Sequence, residues 1–289
     1  MKVYPFKIPK PLNENLFIQI DKGDVFYDKL HQHEEIQISY VVKGRGKLIV
    51  ADSVHQYEDG DVFVIGSKSP HLFQSFEREE NSSYMISLFF TEKAFSDLFL
   101  GIQELNEISG FFNKSDVGFR LLSNKISVQK ILLKLSKANK FSKFLLFLKL
   151  IKKLCESDTE VLTQFVYQKK ISNNEGQRMQ AIFNYVMNNF QNDITLEIVS
   201  ELAYMTPNAF CRFFKQRTNK TFFQFLIELR IEHACQLLVK NKDLSIAQIS
   251  GKSGFKSISN FNRKFKEIKG ITPTAYFHAM NSDMRLNPK

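Results

Sequence analysis

The sequence predicts an α+β chain of more than one domain: a small N-terminal β-barrel with a helical hairpin, then an all-α C-terminal domain. Three observations carry that expectation. Short apolar strands broken by Gly and Asp fill residues 1–92. The texture turns helical after Thr91. A repeat about fifty residues long occupies the C-terminal part. The length of 289 residues suits two domains, and 43% hydrophobic content is enough for buried cores. Disorder, a collagen-like helix and a disulfide scaffold are excluded by that composition.

The strands are read from period-two alternation and turn residues. Ile36, Ile38 and Tyr40 alternate with polar residues, and Lys47–Val50 follows a Gly44-Arg45-Gly46 hairpin turn. A second turn, Glu58-Asp59-Gly60-Asp61, leads into Val62–Ile65, and Ser83–Phe90 is a further strand. Together they predict a small sandwich or barrel. Beyond it, Phe95, Leu98, Phe99 and Ile102 have helical spacing, and Asn113–Asp116 reads as a loop. Lys125–Lys153 is rich in Leu, Phe, Ile and Lys and holds no acidic residue. A soft break at Ala138-Asn139 divides it into two amphipathic helices. Ile171–Gly176 reads as a polar linker, and everything after it is helical in pattern. The domains expected are therefore 1–92 (barrel), 93–170 (helical region) and 177–289 (C-terminal domain).

Charge is uneven. The chain carries a net +10, of which residues 178–289 hold +8 and residues 1–177 only +2. A positive field confined to one domain suits a polyanionic partner, because each phosphate contact releases condensed counterions.

The basic domain repeats itself. Phe210-Cys211-Arg212-Phe213-Phe214-Lys215 falls on Phe261-Asn262-Arg263-Lys264-Phe265-Lys266 at an offset of 51. The same offset pairs Thr206 with Ser257, Asn219 with Gly270, Thr221 with Thr272 and Phe225 with Tyr276. At an offset of 50, Thr195-Leu196 falls on Ser245-Ile246 and Val199-Ser200 on Ile249-Ser250. In each copy a Thr or Ser caps a short helix, a tight turn follows, and another Thr or Ser caps a second helix. Pro207 stands at a first helical position, where its missing N–H does no harm. Two short helices about a tight turn describe a helix-turn-helix. Phe210, Phe213 and Phe214 give the second helix an inward face; Phe261 and Phe265 do so in the other copy. The opposite stripes are Asn208, Cys211, Arg212 and Lys215, and Ser259, Asn262, Arg263 and Lys266. Arg and Asn can make bidentate contacts to guanine and adenine edges, whereas Lys more often positions on phosphate.

These segments resemble the AraC/XylS family of bacterial transcription regulators. The resemblance runs through Thr195–Ser200, Met205–Lys215, Phe225–Leu238, Ser245–Ser250, Gly254-Phe255, Asn260–Lys266, Lys269-Gly270 and Thr272-Pro273. Ser200 and Ser250 stand where the family usually has Ala, and Asn219 where it usually has Gly. The resemblance implies sequence-specific binding to double-stranded DNA, with Phe222–Lys240 forming a long helix between two modules. Carried over by position, the base-facing residues are Asn208, Cys211 and Arg212 in the first reader. In the second they are Ile258, Ser259, Asn260 and Arg263, with Lys215 and Lys266 close by. Periodicity favours Asn262 in place of Asn260, and the sequence leaves that choice open.

The N-terminal half resembles a cupin barrel. His31, His33, Gln37 and His71 fall at the positions of the cupin metal set, with Gln in the acidic place. The resemblance implies a barrel that lines a small-molecule effector pocket with these four residues and binds no metal. It also implies a homodimer through the Lys125–Lys153 helices. A solvated hairpin and a helix pair lying on an anionic membrane are the other readings of that segment.

No HExxH, GxSxG, GxxxxGK[ST] or GxGxxG is present. The sequence therefore predicts a regulator rather than an enzyme, with no catalytic residues and no cofactor. Its partners would be DNA, an effector and, if it activates, RNA polymerase. A metal-dependent cupin enzyme fused to a DNA-binding tail is the alternative, and a non-specific packaging protein a third. Three cysteines without a CxxC pair fit a reducing compartment. Prolines at 5, 9 and 11 occupy the place of a signal-peptide core, and the longest apolar run in the Lys-rich middle, Phe144–Leu148, is too short to cross a bilayer. The expectation is a cytoplasmic protein without a membrane partner.

Overall fold

A computed structural model describes residues 14–76, 82–95, 102–164, 166, 173–241 and 243–286. Leu98 and Phe99, expected on a helix, lie outside the described residues, as do the N-terminal prolines, Ile171 and Ser172. The chain forms two compact units, Met1–Gln177 and Arg178–Lys289.

The first unit is built on antiparallel strands. They are β1 (Phe17–Gly23), β2 (Ile36–Lys43), β3 (Gly46–Val50), β4 (Ser53–Tyr57), β5 (Val62–Ile65), β6 (His71–Ser75), β7 (Ser83–Phe90), β8 (Phe119–Leu121) and β9 (Thr159–Val161). Six form one sheet in the order β1-β7-β2-β5-β8-β9, and three form a second in the order β4-β3-β6. Helices α1 (Asn106–Asp116), α2 (Lys125–Leu135) and α3 (Lys140–Cys155) cover one face of the larger sheet.

Period-two alternation sorts the larger sheet into two faces. Ile36, Ile38, Val62, Val64, Leu88 and Phe90 pack against Phe111, Leu132, Phe147 and Leu150 of the helices. The residues between them, including Val41, Phe63, Ile65 and Met85, meet Leu48, Val50 and Phe73 of the smaller sheet. Ile36 and Ile38 therefore face the helical layer. Their polar neighbours Gln37 and Ser39 take the interior side of the strand and are buried there.

Several expectations change. Asn113–Asp116, expected as a loop, forms the last turn of α1. Gly44-Arg45-Gly46 is not a hairpin turn, because β2 and β3 belong to different sheets. It is the corner between them. A Cβ at Gly46 would come within 2.0 Å of the Gln74 carbonyl oxygen and 2.5 Å of the Tyr57 hydroxyl, so only glycine allows β3 to close there. The division at residue 92 is not a division of the fold either. β8 and β9, from the region expected to be purely helical, pair onto β5 and onto each other. Strands of three residues are too short to show alternation.

Asp61 ties these parts together. Its buried carboxylate accepts from Arg120 of β8 at 2.7 Å and from Lys125 of α2 at 3.0 Å. Gln129 donates to the neighbouring Gly60 carbonyl at 2.7 Å. The helical hairpin itself forms as the sequence predicts, with Asn139 capping α3 by accepting from the Ser142 amide at 2.9 Å.

The second unit is helical: α4 (Asn173–Asn189), α5 (Leu196–Leu202), α6 (Pro207–Thr218), α7 (Phe222–Lys240), α8 (Ile246–Lys252), α9 (Ile258–Lys269) and α10 (Pro273–Leu286). The expected linker at Ile171–Gly176 is shorter than its composition suggests, since Asn173–Gly176 begin α4. First turns of helices tolerate polar residues, and Glu175 favours the positive end of the dipole. Among the described residues no helix is long and apolar enough to cross a membrane.

Candidate nucleic-acid interface and buried histidine cluster

Each C-terminal module assembles from its caps. Thr195 accepts from the Ile198 amide at the start of α5, and Thr206 from the Ala209 amide at the start of α6 with Pro207 in the first turn. Ser245 and Gln248 form a capping box on α8, and Ser257 accepts from the Asn260 amide on α9. Both second helices end on a left-handed residue, Asn219 at φ 54° and Gly270 at φ 76°. Asn in the glycine place is thus accommodated, as its short polar side chain allows.

The inward faces are aromatic. Phe214 meets Phe222 at 5.5 Å and Phe225 at 5.7 Å between ring centroids, and Phe210 meets Phe222 at 5.5 Å. In the second module Phe255, Phe261 and Phe265 join Ile231, Ala234 and Leu238 of α7 in one core. Edge-to-face rings of this kind fix helix orientation beyond what buried area alone supplies.

The outward stripes face solvent. Asn208, Cys211, Arg212 and Lys215 on α6 are exposed, as are Ile258, Ser259, Asn260, Arg263 and Lys266 on α9. Asn262 is exposed too. Asn260 is the one engaged: its side-chain oxygen accepts from Arg263 at 2.9 Å. Glu267 stands 3.6 Å from the other side of that guanidinium. Arg263 is thereby held extended along the helix surface by neighbours one turn away on each side.

Sequence reasoning missed the seam between the modules. Arg230 of α7 donates to the carbonyls of Phe190 at 2.7 Å and Asn192 at 2.8 Å, just ahead of α5. Lys256, in the turn of the second module, pairs with Asp193 at 2.7 Å. His233 stands 3.2 Å from the Ser253 hydroxyl, with its ring 5.0 Å from Phe190. Arg230 lies within Phe225–Leu238, one of the segments that carry the family resemblance, and only contacts in space show what it holds.

In the first unit, His31, His33, Gln37 and His71 do come together. One nitrogen from each of the three buried rings lies within 4.8 Å of the others. The ring centroids of His31 and His71 are 4.2 Å apart. Burial pushes the His31 imidazolium down to about 3, and pushes His33 and His71 down as well. All three are neutral near pH 7. Each Nδ1 faces a backbone carbonyl: Lys29 at 2.8 Å, Glu35 at 2.9 Å and Ser69 at 2.9 Å. Those carbonyls can only accept, so each Nδ1 carries the ring's one proton and each Nε2 is left as a lone pair.

Gln37 completes the set. Its side-chain oxygen Oε1 lies 3.1 Å from Nε2 of both His33 and His71, and its NH2 donates to Ser39 at 2.7 Å, which in turn meets Ser87 at 2.8 Å. That sets an acceptor against two Nε2 lone pairs; turning the amide over, so that its NH2 meets the two imidazoles and its oxygen the Ser39 hydroxyl, satisfies His33, His71 and Gln37 without an ion, and the hydrogen-bond network favours that orientation. Three lone pairs could also hold a divalent transition ion, but the set lacks a carboxylate to offset its charge. Ser39 and Ser87 were not foreseen; Ser39 is two residues from Gln37 on one strand, and the register brings Ser87 opposite it.

Comparison with known proteins finds a match for each of these features. Residues 16–86 match the cupin domain family and residues 199–279 a helix-turn-helix domain family. The uncharacterized HTH-type transcriptional regulator YdeC of Bacillus subtilis (strain 168) is 23% identical over 270 residues, covering 89% of this chain and 88% of its own. An uncharacterized HTH-type transcriptional regulator of Staphylococcus aureus is 24% identical over 245 residues; that is 83% of this chain but 31% of the relative, so the chain spans about a third of that protein's length. Among solved structures, the DNA-binding domain of AdpA in complex with a target DNA is similar over 37% of this chain and 95% of its own, at 25% identity and a TM-score of 0.35. ToxT from Vibrio cholerae is similar over 92% of this chain and 98% of its own, at 12% identity and a TM-score of 0.35. The chain thus combines a cupin domain with two capped helix-turn-helix modules and aligns over 89% of its length with an HTH-type transcriptional regulator, the organisation of a DNA-binding transcriptional regulator.

Proposed function

We propose that this DNA-binding regulator reads base edges with Asn208, Cys211 and Arg212 from α6 and with Ile258, Ser259, Asn260 and Arg263 from α9, while Lys215 and Lys266 hold phosphates. The observation that carries the reading is the pair of exposed polar stripes on two equivalent, capped helices in one compact unit. Selection of bound sequences from a random duplex pool with the full chain tests it: an asymmetric site with two separated base-specific segments is expected. Enrichment of no sequence would leave only the packaging reading.

The barrel is proposed to take a small-molecule effector beside His31, His33, Gln37 and His71, without metal and without turnover. The Gln37 amide supports this, because turned over it satisfies His33 and His71 without an ion. One tightly held metal equivalent in purified protein, lost in a His31→Ala/His71→Ala variant, would favour the metal-dependent enzyme instead. The protein is proposed to act in the cytoplasm as a homodimer, contacting RNA polymerase if it activates. Phe141 and Leu145, 71% and 52% exposed one turn apart on α3, supply an apolar seam for a second copy.

A further inference from the structure

The helical hairpin carries a surface that none of this accounts for. Between Lys125 and Cys155 the chain has nine lysines and no Asp or Glu. Two adjoining cavities of about 490 Å³ and about 620 Å³ share Lys130, Lys134 and Leu146, and so form one groove along the outer seam of α2 and α3. Its floor is apolar, from Ile131, Leu133 and Leu146. One lip carries Lys130, Lys134 and Lys137, spaced four and three residues apart on α2 and just past its end. The other carries Lys149, Lys152 and Lys153 on α3. Lys153 pairs with Glu156 at 2.8 Å, the one acid in the lining. Among the described residues the other five reach no carboxylate.

Four uncompensated like charges, Lys130, Lys134, Lys137 and Lys149, with Lys152 acting on Glu156 only from beyond contact distance, focus a positive potential into the concavity they surround. The pattern across the groove is cation, apolar floor, cation. Its complement is a helix with an apolar ridge and acidic residues on both flanks, laid into the groove between two antiparallel helices. We propose that the α2–α3 groove is a docking site for an acidic amphipathic helix of a partner protein.

The other occupants fit less well. A second copy meeting this face about a two-fold axis would set lysine against lysine. Duplex DNA would use the lysines but lay sugar-phosphate over Ile131 and Leu146, where it gains nothing. A bilayer takes a convex apolar face, whereas here the apolar groups form the floor of a concavity.

The test uses the full chain and a labelled synthetic peptide, a helix with leucines three and four residues apart and glutamates on both flanks. Fluorescence anisotropy should show binding that weakens at raised salt. Replacing the glutamates by glutamine should lose about tenfold or more in affinity. A Lys130→Glu/Lys149→Glu variant should lose the acidic peptide, gain a lysine-flanked version of it, and keep its unfolding temperature and DNA binding. That charge swap is a result no folding defect can imitate. Equal binding of the glutamine peptide, or no exchange of preference in the variant, would overturn the proposal. So would recruitment to phosphatidylglycerol vesicles without peptide binding, or a dimer that the reversed charges dissociate.

Discussion

Arg230 and Phe190 are joined across the C-terminal unit by a 2.7 Å hydrogen bond from the guanidinium Nε to the main-chain carbonyl. The same Nε lies 2.9 Å from the place a Cβ on Gly254 would take. One side chain of the connecting helix thus meets the segment before the first reader module and the turn inside the second.

Loss of that brace should appear in how the protein spaces its contacts. Arg230→Ala removes two charge-assisted bonds, a stability loss of about 2–4 kcal/mol read by thermal unfolding. Its affinity for a complete site should fall while the base preferences within each segment persist, and sites lengthened or shortened by one base pair should be discriminated less. Unchanged discrimination of spacing would assign Arg230 to stability alone. Gly254→Ala should be at least as damaging, since Gly254 sits at φ +84° and the added carbon would meet the Phe190 carbonyl oxygen at 2.8 Å.

Arg212→Ala and Arg263→Ala should each cost about 1–3 kcal/mol of specific binding and relax base preference at one position. Lys215→Ala and Lys266→Ala should weaken all sequences alike and lower the salt slope by about one. Footprinting should show two protected segments about one helical turn apart, near 10 base pairs. Equal losses on specific and random DNA for the arginine variants would assign them to phosphate.

Asp61→Asn leaves Arg120 and Lys125 without their shared carboxylate. Unfolding of the first unit should become easier by about 3 kcal/mol, because the lost carboxylate was buried and paired. An unchanged denaturation midpoint would show the network to be dispensable.

The first unit should also lose stability in acid. Burial lowers the folded-state affinity of His31, His33 and His71 for protons, while the unfolded chain takes them up near the ordinary imidazole value of 6.5. Between that pH and the folded value for His31 of about 3, the unfolded state binds more protons. Stability therefore falls as pH drops through this window, by up to about 1.4 kcal/mol per pH unit for each histidine. The slope is at half its full value at pH 6.5 and fades over about one pH unit above it. Denaturant midpoints measured from pH 7.5 to 4.5 should show the fall, and a His31→Gln variant a shallower one; parallel curves would place the acid sensitivity elsewhere.

The sequence by itself determined whatever depends on local chemistry. Thr195, Thr206, Ser245 and Ser257 were legible as caps because an N-cap oxygen bonds amides only two or three residues on. The two reader helices followed, because Phe210 and Phe214, or Phe261 and Phe265, mark a buried face and leave the opposite stripe to solvent. The hairpin over Lys125–Lys153 was legible for the same reason. The histidine set was visible only as a resemblance, since His71 is 38 residues from His33 and no local spacing links them.

Only the tertiary structure decided which sheet each strand joins. Gly44-Arg45-Gly46 has the composition of a hairpin turn, yet it separates two sheets because β3 finds its partners in β4 and β6. Main-chain hydrogen bonds carry no side-chain identity, so a short strand such as Phe119–Leu121 can take any edge that packing presents. Arg230 and Asp61 owe their roles to partners 40 and 59 residues away. An ion pair or a guanidinium–carbonyl bond of that separation exists only once the helices and sheets have packed. Its physical origin is electrostatic attraction, strengthened where packing removes water around the groups it joins, and the linear sequence does not encode that position by position.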